Sequence, residues 1–179
     1  MTLAVLQSFH GDSMAVARLQ TGGEVYDTVY IDASLICLGA ICGHQFFSTC
    51  LPPYIYNESK IVFFEMINVL VCIRVWGHLW LDKRIVIYCD NRAVVDIMER
   101  HKTRDKRLEA ILRDILFVMA RLNIHLEVKH VMGQKNPIAD GLSRVHMEKS
   151  AESIQDLEGK GYEQKFIDAR HYIVGDEKL

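Results

Sequence analysis

The chain has 179 residues, half of them hydrophobic and a quarter charged, with a formal charge of −2. That is the composition of one globular domain, large enough to bury a core without staples. The slightly acidic balance excludes a dedicated basic nucleic-acid binder, so any such contact must come from local patches.

Residues 1–24 show no strong period and run into TGGE, a turn signal. They read as an arm leading into the domain or the end of an upstream connection region. The segment lacks a basic n-region and a clean apolar h-region, so no signal peptide is predicted and an intracellular setting (cytoplasmic, nuclear or both) is expected. VYDTVYIDAS, residues 25–34, is rich in β-branched and aromatic types and predicts a strand. LGAICG and QFFSTCL predict two more, closely spaced as in an antiparallel meander. The breaker LPPYIYNES follows, then a helix from about Asn57 or Ser59, its caps, to Leu81.

Within that helix IVFFEMINVLVCIRVWGHLWL has the length of a membrane span. It also carries Glu65, Asn68, Arg74 and His78, and charges at mid-bilayer cost at least a few kcal/mol each. A long helix buried on most sides of a soluble domain is therefore preferred, with Trp76 and Trp80 in the core rather than in a stacking platform.

DKRIVIYC predicts a central buried strand and DNRAVVDIMER a short helix capped by Asp90 or Asn91. HKTRDKR reads as a basic loop. LEAILRDILFVMARLN has apolar residues at helical spacing, including Leu108, Ile111, Leu112 and Ile115. IHLEVKHV alternates as a strand does. GQKNPIADGLSRV predicts a turn and a short helix, with Asn136 as cap and Pro137 in first position. From residue 146 to 179 the chain is charged and weakly periodic, a tail or linker that is partly helical at most. The five cysteines are odd in number, form no CxxC and lie mostly in apolar runs, so they read as buried reduced thiols. The order β-β-β-α-β-α-α-β-α predicts an α/β protein with a mixed sheet and helices on its faces.

Four acids stand out: Asp32 in the first strand, Glu65 in the long helix, Asp90 after the fourth strand and Asp140 in the last helix. Singly, each has an ordinary structural explanation as a cap, a turn or a locally paired helix residue. Together they can converge, because a strand end and a central strand can lie side by side under a crossing helix. Clustered carboxylates repel and lose hydration, which a cation compensates. Oxygen ligands of this kind select Mg²⁺ or Mn²⁺, and two such ions can clamp an in-line phosphoryl displacement.

The segments YIDASLICLGAIC, FFEMINVLVCIRVWGHLW, IVIYCDNRAVVDIM and HVMGQKNPIADGLSR resemble the ribonuclease H domain of retroelement polyproteins, most closely DIRS-type (tyrosine-recombinase) retrotransposons. The resemblance covers residues 25–145. It implies a ribonuclease H-like fold whose five-stranded mixed sheet has three antiparallel meander strands and two parallel ones. It implies hydrolysis of the RNA strand of an RNA–DNA hybrid during reverse transcription, with two Mg²⁺ or Mn²⁺ ions. In that family's pattern Asp32 bridges both ions, Asp140 holds the ion that activates water, and Glu65 and Asp90 hold the ion near the leaving oxygen. Products with 5′-phosphate and 3′-hydroxyl ends are expected. Glu65 also senses the ribose 2′-hydroxyl, and His130 matches a loop histidine that assists product departure or proton transfer. Asn91, Lys102, Arg104, Lys135, Asn136 and Arg144 are the candidates for gripping the nucleic acid. No adjacent aspartate pair follows an aromatic residue, so polymerase activity is not encoded here, and a reverse transcriptase domain upstream in a polyprotein is the expected partner. Two alternatives stay open: a catalytically inactive scaffold or nucleic-acid-binding domain, and another nuclease of the same fold.

Overall fold

The computed structural model describes residues 25–55, 60–144 and 148–173. Its centre is a mixed sheet of six strands in the order β5-β4-β1-β2-β3-β6. The first three strands are β1 (Val25–Ala33), β2 (Cys37–Cys42) and β3 (Gln45–Cys50), paired antiparallel as the meander pattern predicts. β4 (Arg84–Cys89) and β5 (His125–His130) join the other edge of β1 in parallel. Parallel neighbours need long crossovers, which the helices supply.

The strand periodicity builds two cores. Along β1, Val29, Ile31 and Ala33 enter the larger cluster, whereas Tyr30 packs against a smaller one formed by Ile41, Phe46, Leu142 and Leu157. Over the larger core lie α1 (Ile61–Trp76), α2 (Arg92–Arg100) and α3 (Lys106–Leu122). Over the smaller one lie α4 (Pro137–Ser143) and α5 (Glu148–Gly159).

α1 explains the stretch that resembles a membrane span. Residues 61–79 are long and apolar enough to cross a bilayer, yet 67% of the apolar 18-residue window within them is packed inside the fold. Every residue from Phe64 to Ile73 is buried, so the helix shows no polar stripe. Arg74 is accounted for by the Tyr172 carbonyl, to which it donates, and by Asp114 on α3 at 3.6 Å. Trp76 and Trp80 are 1% and 0% exposed, as core residues. The helix is shorter than expected. It ends at Trp76 and tightens into a 3-10 turn over Gly77–Leu79 instead of reaching Leu81. Asn57 and Ser59, the expected caps, lie outside the described residues; Lys60 holds the cap position and makes no side-chain cap bond.

Asn91 caps α2 by accepting from the Ala93 N–H at 3.0 Å, and Asp105 caps α3 through Arg107 N–H at 3.0 Å. The basic loop is therefore shorter than the sequence suggests, because Lys106 and Arg107 are already helical.

The charged segment read as a tail or linker carries ordered elements that fold back. α5 is followed by β6 (Glu163–Gln164), which extends the sheet in parallel beside β3, and by α6 (Arg170–Ile173) against α1. A few well-placed apolar residues suffice: Leu157 is 4% and Ala169 0% exposed. They are too sparse to show as a period, and β6 makes the sheet six-stranded rather than five.

Gly39, paired with Asp32 across the β1–β2 ladder, lets α4 lie directly on the sheet. A Cβ there would fall 2.5 Å from the Ser143 backbone nitrogen and 2.6 Å from Leu142. Backbone cannot yield as a side-chain tip can. Gly39→Ala is expected to lower the unfolding free energy by about 1–3 kcal/mol in denaturant melts. An unchanged midpoint would mean that α4 does not pack this closely.

Candidate active site

Asp32 stands near the C-terminal end of β1, Glu65 in the second turn of α1, Asp90 one residue past β4, and Asp140 on α4. All four line one cleft of about 590 Å³, together with Ser34, Asn91 and Arg144. β1 and β4 are parallel neighbours, so their C-terminal ends deliver Asp32 and Asp90 to the same edge. The helices above and below the sheet bring Glu65 and Asp140 to it.

Each acid is held differently. Glu65, 1% exposed, accepts from the Ala33 N–H at 3.0 Å through Oε1, which ties it to the residue after Asp32. Its Oε2 faces the Cys89 thiol at 3.6 Å. Glu65, Cys89 and Asp90 each offer a ligand atom, and the three lie within 4.8 Å of one another. Asp32, 7% exposed, accepts a short hydrogen bond from Ser143 Oγ. Asp140 is more open and accepts from Arg144 Nε at 2.7 Å. Gly133, after β5, brings its Cα side so near Asp90 that a Cβ would sit 3.1 Å from Oδ2.

The electrostatics follow from this crowding. Burial, then the negative charge of Asp32, then that of Asp90, pushes Glu65 up to about 8, against the opposing Ala33 N–H. Burial likewise raises Asp32 to about 6, helped by Asp90 and Asp140 and resisted by Ser143 and Arg144. Burial also pushes the Cys89 thiol up, so it remains protonated and donates to Glu65. For both acids burial is the first cause, and their acidic neighbours add to it. The donors of the site are mostly carboxylate oxygens, which fits a hard divalent cation.

Two positioning residues were missed from the sequence. Ser143 follows Asp140 by three positions, and its hydroxyl reaches across to Asp32. Asn68 follows Glu65 by three positions, is 0% exposed, and donates to the carbonyls of Asp32 at 2.8 Å and Gly39 at 3.0 Å. It thereby clasps β1 to β2 beneath the acids. Both are i+3 neighbours of an acid on one helix face, a spacing that could have pointed to them. Ser143→Ala is expected to cost about 1.5–3 kcal/mol at pH 8, where Asp32 is ionised, and less at pH 4. Urea melts at the two pH values measure the difference; equal losses would leave Ser143 with packing alone.

The remaining candidates separate. Asn91 lines the cleft at its rim while capping α2. Arg144 lines it too, engaged with Asp140. His130 ends β5 and lines a different groove beneath α2, with His101 and Glu99. Lys102 and Arg104 are exposed on the loop between α2 and α3, outside the cleft. Lys135 is exposed in the 3-10 turn Gly133–Lys135. Asn136 holds the N-cap position of α4, as expected, but its side chain makes no cap bond. It is 3% exposed, and its amide donates to the Ile31 carbonyl at 2.8 Å, fastening α4 to β1.

Sheet order, mixed pairing and helix placement define a ribonuclease H-like fold. Ribonuclease H1 from the halophilic archaeon Halobacterium salinarum NRC-1 is similar at a TM-score of 0.54 and 14% identity, over 73% of this chain and 98% of that one. The N-terminal RNase H domain of Rv2228c from Mycobacterium tuberculosis, solved as a maltose-binding-protein fusion, is similar at 0.53 and 14%, over 72% and 99%. The sequence matches no protein-family model and no curated protein.

Proposed function

We propose that this chain is a ribonuclease H-type hydrolase, an endonuclease cutting the RNA strand of RNA–DNA hybrids in retroelement reverse transcription. The observation that carries the reading is the meeting of Asp32, Glu65, Asp90 and Asp140 in one cleft of this fold. The two ribonuclease H structures of like fold support the class of activity. The retroelement setting rests on the motif resemblance, and with it go an intracellular location and a reverse transcriptase partner upstream.

Two Mg²⁺ or Mn²⁺ ions held by the four carboxylates would supply transition-state charge stabilisation and a nucleophilic water at neutral pH. The chain's own residues do the rest. Ser143 orients Asp32, the Ala33 N–H orients Glu65, and Asn68 keeps the β1–β2 edge rigid beneath them. Asn91, which lines the cleft, would donate to a sugar or phosphate of the substrate. Lys102, Arg104 and Lys135 offer backbone contacts beyond the cleft, which fix register without reading sequence. His130 is proposed to act from the adjoining groove during product departure.

Labelled RNA–DNA hybrid, duplex DNA and duplex RNA, each incubated with Mg²⁺, test the reading. Cleavage confined to the hybrid's RNA strand is expected. Preferred cutting of duplex DNA would point to another nuclease of the same fold, and no cutting of any substrate to an inactive scaffold.

A further inference from the structure

We propose that Cys37 and Cys50 form a reversible disulfide when the protein meets a peroxide. Cys37 opens β2, Cys50 closes β3, and the two are directly paired in the antiparallel ladder. The Leu51 N–H donates to the Ile36 carbonyl at 2.8 Å, which makes that pair a hydrogen-bonded rung. Rungs alternate, so the neighbouring Cys37–Cys50 rung is the non-hydrogen-bonded kind, in which Cα atoms approach to about 4.5 Å. That spacing lies inside the range of about 4.4–6.8 Å that a disulfide spans. The two sulfurs are already 3.3 Å apart. The other three thiols point to different partners: Cys42 to Asp27, Cys72 to Asn68 and Cys89 to Glu65.

The pair is also asymmetric in access. Cys50 is exposed and Cys37 buried. The exposed thiol takes up the oxidant: Cys50–SH and H₂O₂ give the sulfenic acid and water. The Cys37 thiol then attacks the sulfenic sulfur, forming the S–S bond and releasing a second water. Two electrons pass from the thiol pair to the peroxide O–O bond, and a small thiol reductant reverses the change. The bond closes the β2–β3 hairpin at the base of the 34–37 turn, where Ser34 Oγ accepts from the Cys37 N–H at 2.9 Å. Ser34 and Leu35 of that turn border the acidic cleft, so oxidation stiffens one wall of it.

The full chain treated with hydrogen peroxide, then alkylated and digested without reductant, is expected to yield a Cys37–Cys50 cross-linked peptide. Its Tm is expected to rise by about 5 °C or more and to return on reduction. Cys50→Ser, at an exposed position, is expected to fold with the Tm of the reduced protein and to show neither change. Recovery of Cys50 as sulfinic acid or as a mixed adduct, with Cys37 still alkylated, would overturn the proposal.

Discussion

Asp32→Asn is expected to lower cleavage of a labelled RNA–DNA hybrid by about 10³-fold or more in Mg²⁺ while leaving the protein folded. Asparagine keeps the shape of the side chain, and its carbonyl oxygen can still accept from Ser143 Oγ, the contact that joins β1 to α4. What disappears is the charge. Asp32 is the acid with neighbours on every side: Glu65 is tied to the next residue, and Asp90 and Asp140 both act on its ionisation. A cation shared among the four acids loses most when this one is neutral. Gel assays of the two proteins, normalised by circular dichroism, read the outcome. Equal rates would remove the nuclease reading and leave the fold untouched.

Glu65→Gln is expected to stabilise the metal-free protein, increasingly so as the pH rises. The ionised carboxyl is opposed by burial and by Asp32, so its folded value of about 8 lies above its ordinary 4.5. The folded state holds that proton over a window in which the unfolded chain has released it. Wild-type stability from this group is therefore complete below about pH 4.5 and is lost as pH climbs through about 8. Glutamine escapes the loss and can still accept from the Ala33 N–H. The gain at pH 9 is on the order of 3 kcal/mol, or roughly 6–12 °C in Tm, and is near zero at pH 4.5. Mn²⁺ should act on the wild type in the same direction, by binding the native state alone, and much less on the variant. Thermal melts across pH, with and without Mn²⁺, give both answers. A pH-independent difference together with no response to Mn²⁺ would mean that these acids form no cation site.

Much of this was legible in one dimension. Strand alternation in VYDTVYIDA, the continuous apolar run RIVIYC and the helical spacing from Leu108 to Ile115 each declare a local structure, because burial repeats with a period of two or 3.6. The order of those elements limits the sheet to few arrangements, and the predicted meander with two parallel additions is present, extended by β6 beside β3. Where the prediction fell short, the signal was absent or ambiguous. α1 is buried all round, so its composition alone resembles a membrane span; tertiary burial distinguishes the two. The C-terminal elements depend on Leu157 and Ala169 finding pockets made by distant residues.

The site divides in the same way. By itself, the sequence singled out the candidates: four acids in separate elements, each with an ordinary explanation alone and telling only as a set. Only the tertiary structure decided how they are held, with Ser143 on Asp32, Asn68 across two strand carbonyls, Asn136 turned inward and His130 in the neighbouring groove. The physical reason is range. Periodicity and propensity act over a few residues, whereas desolvation and charge repulsion at a shared cleft depend on groups up to 111 positions apart, as Ser143 is from Asp32.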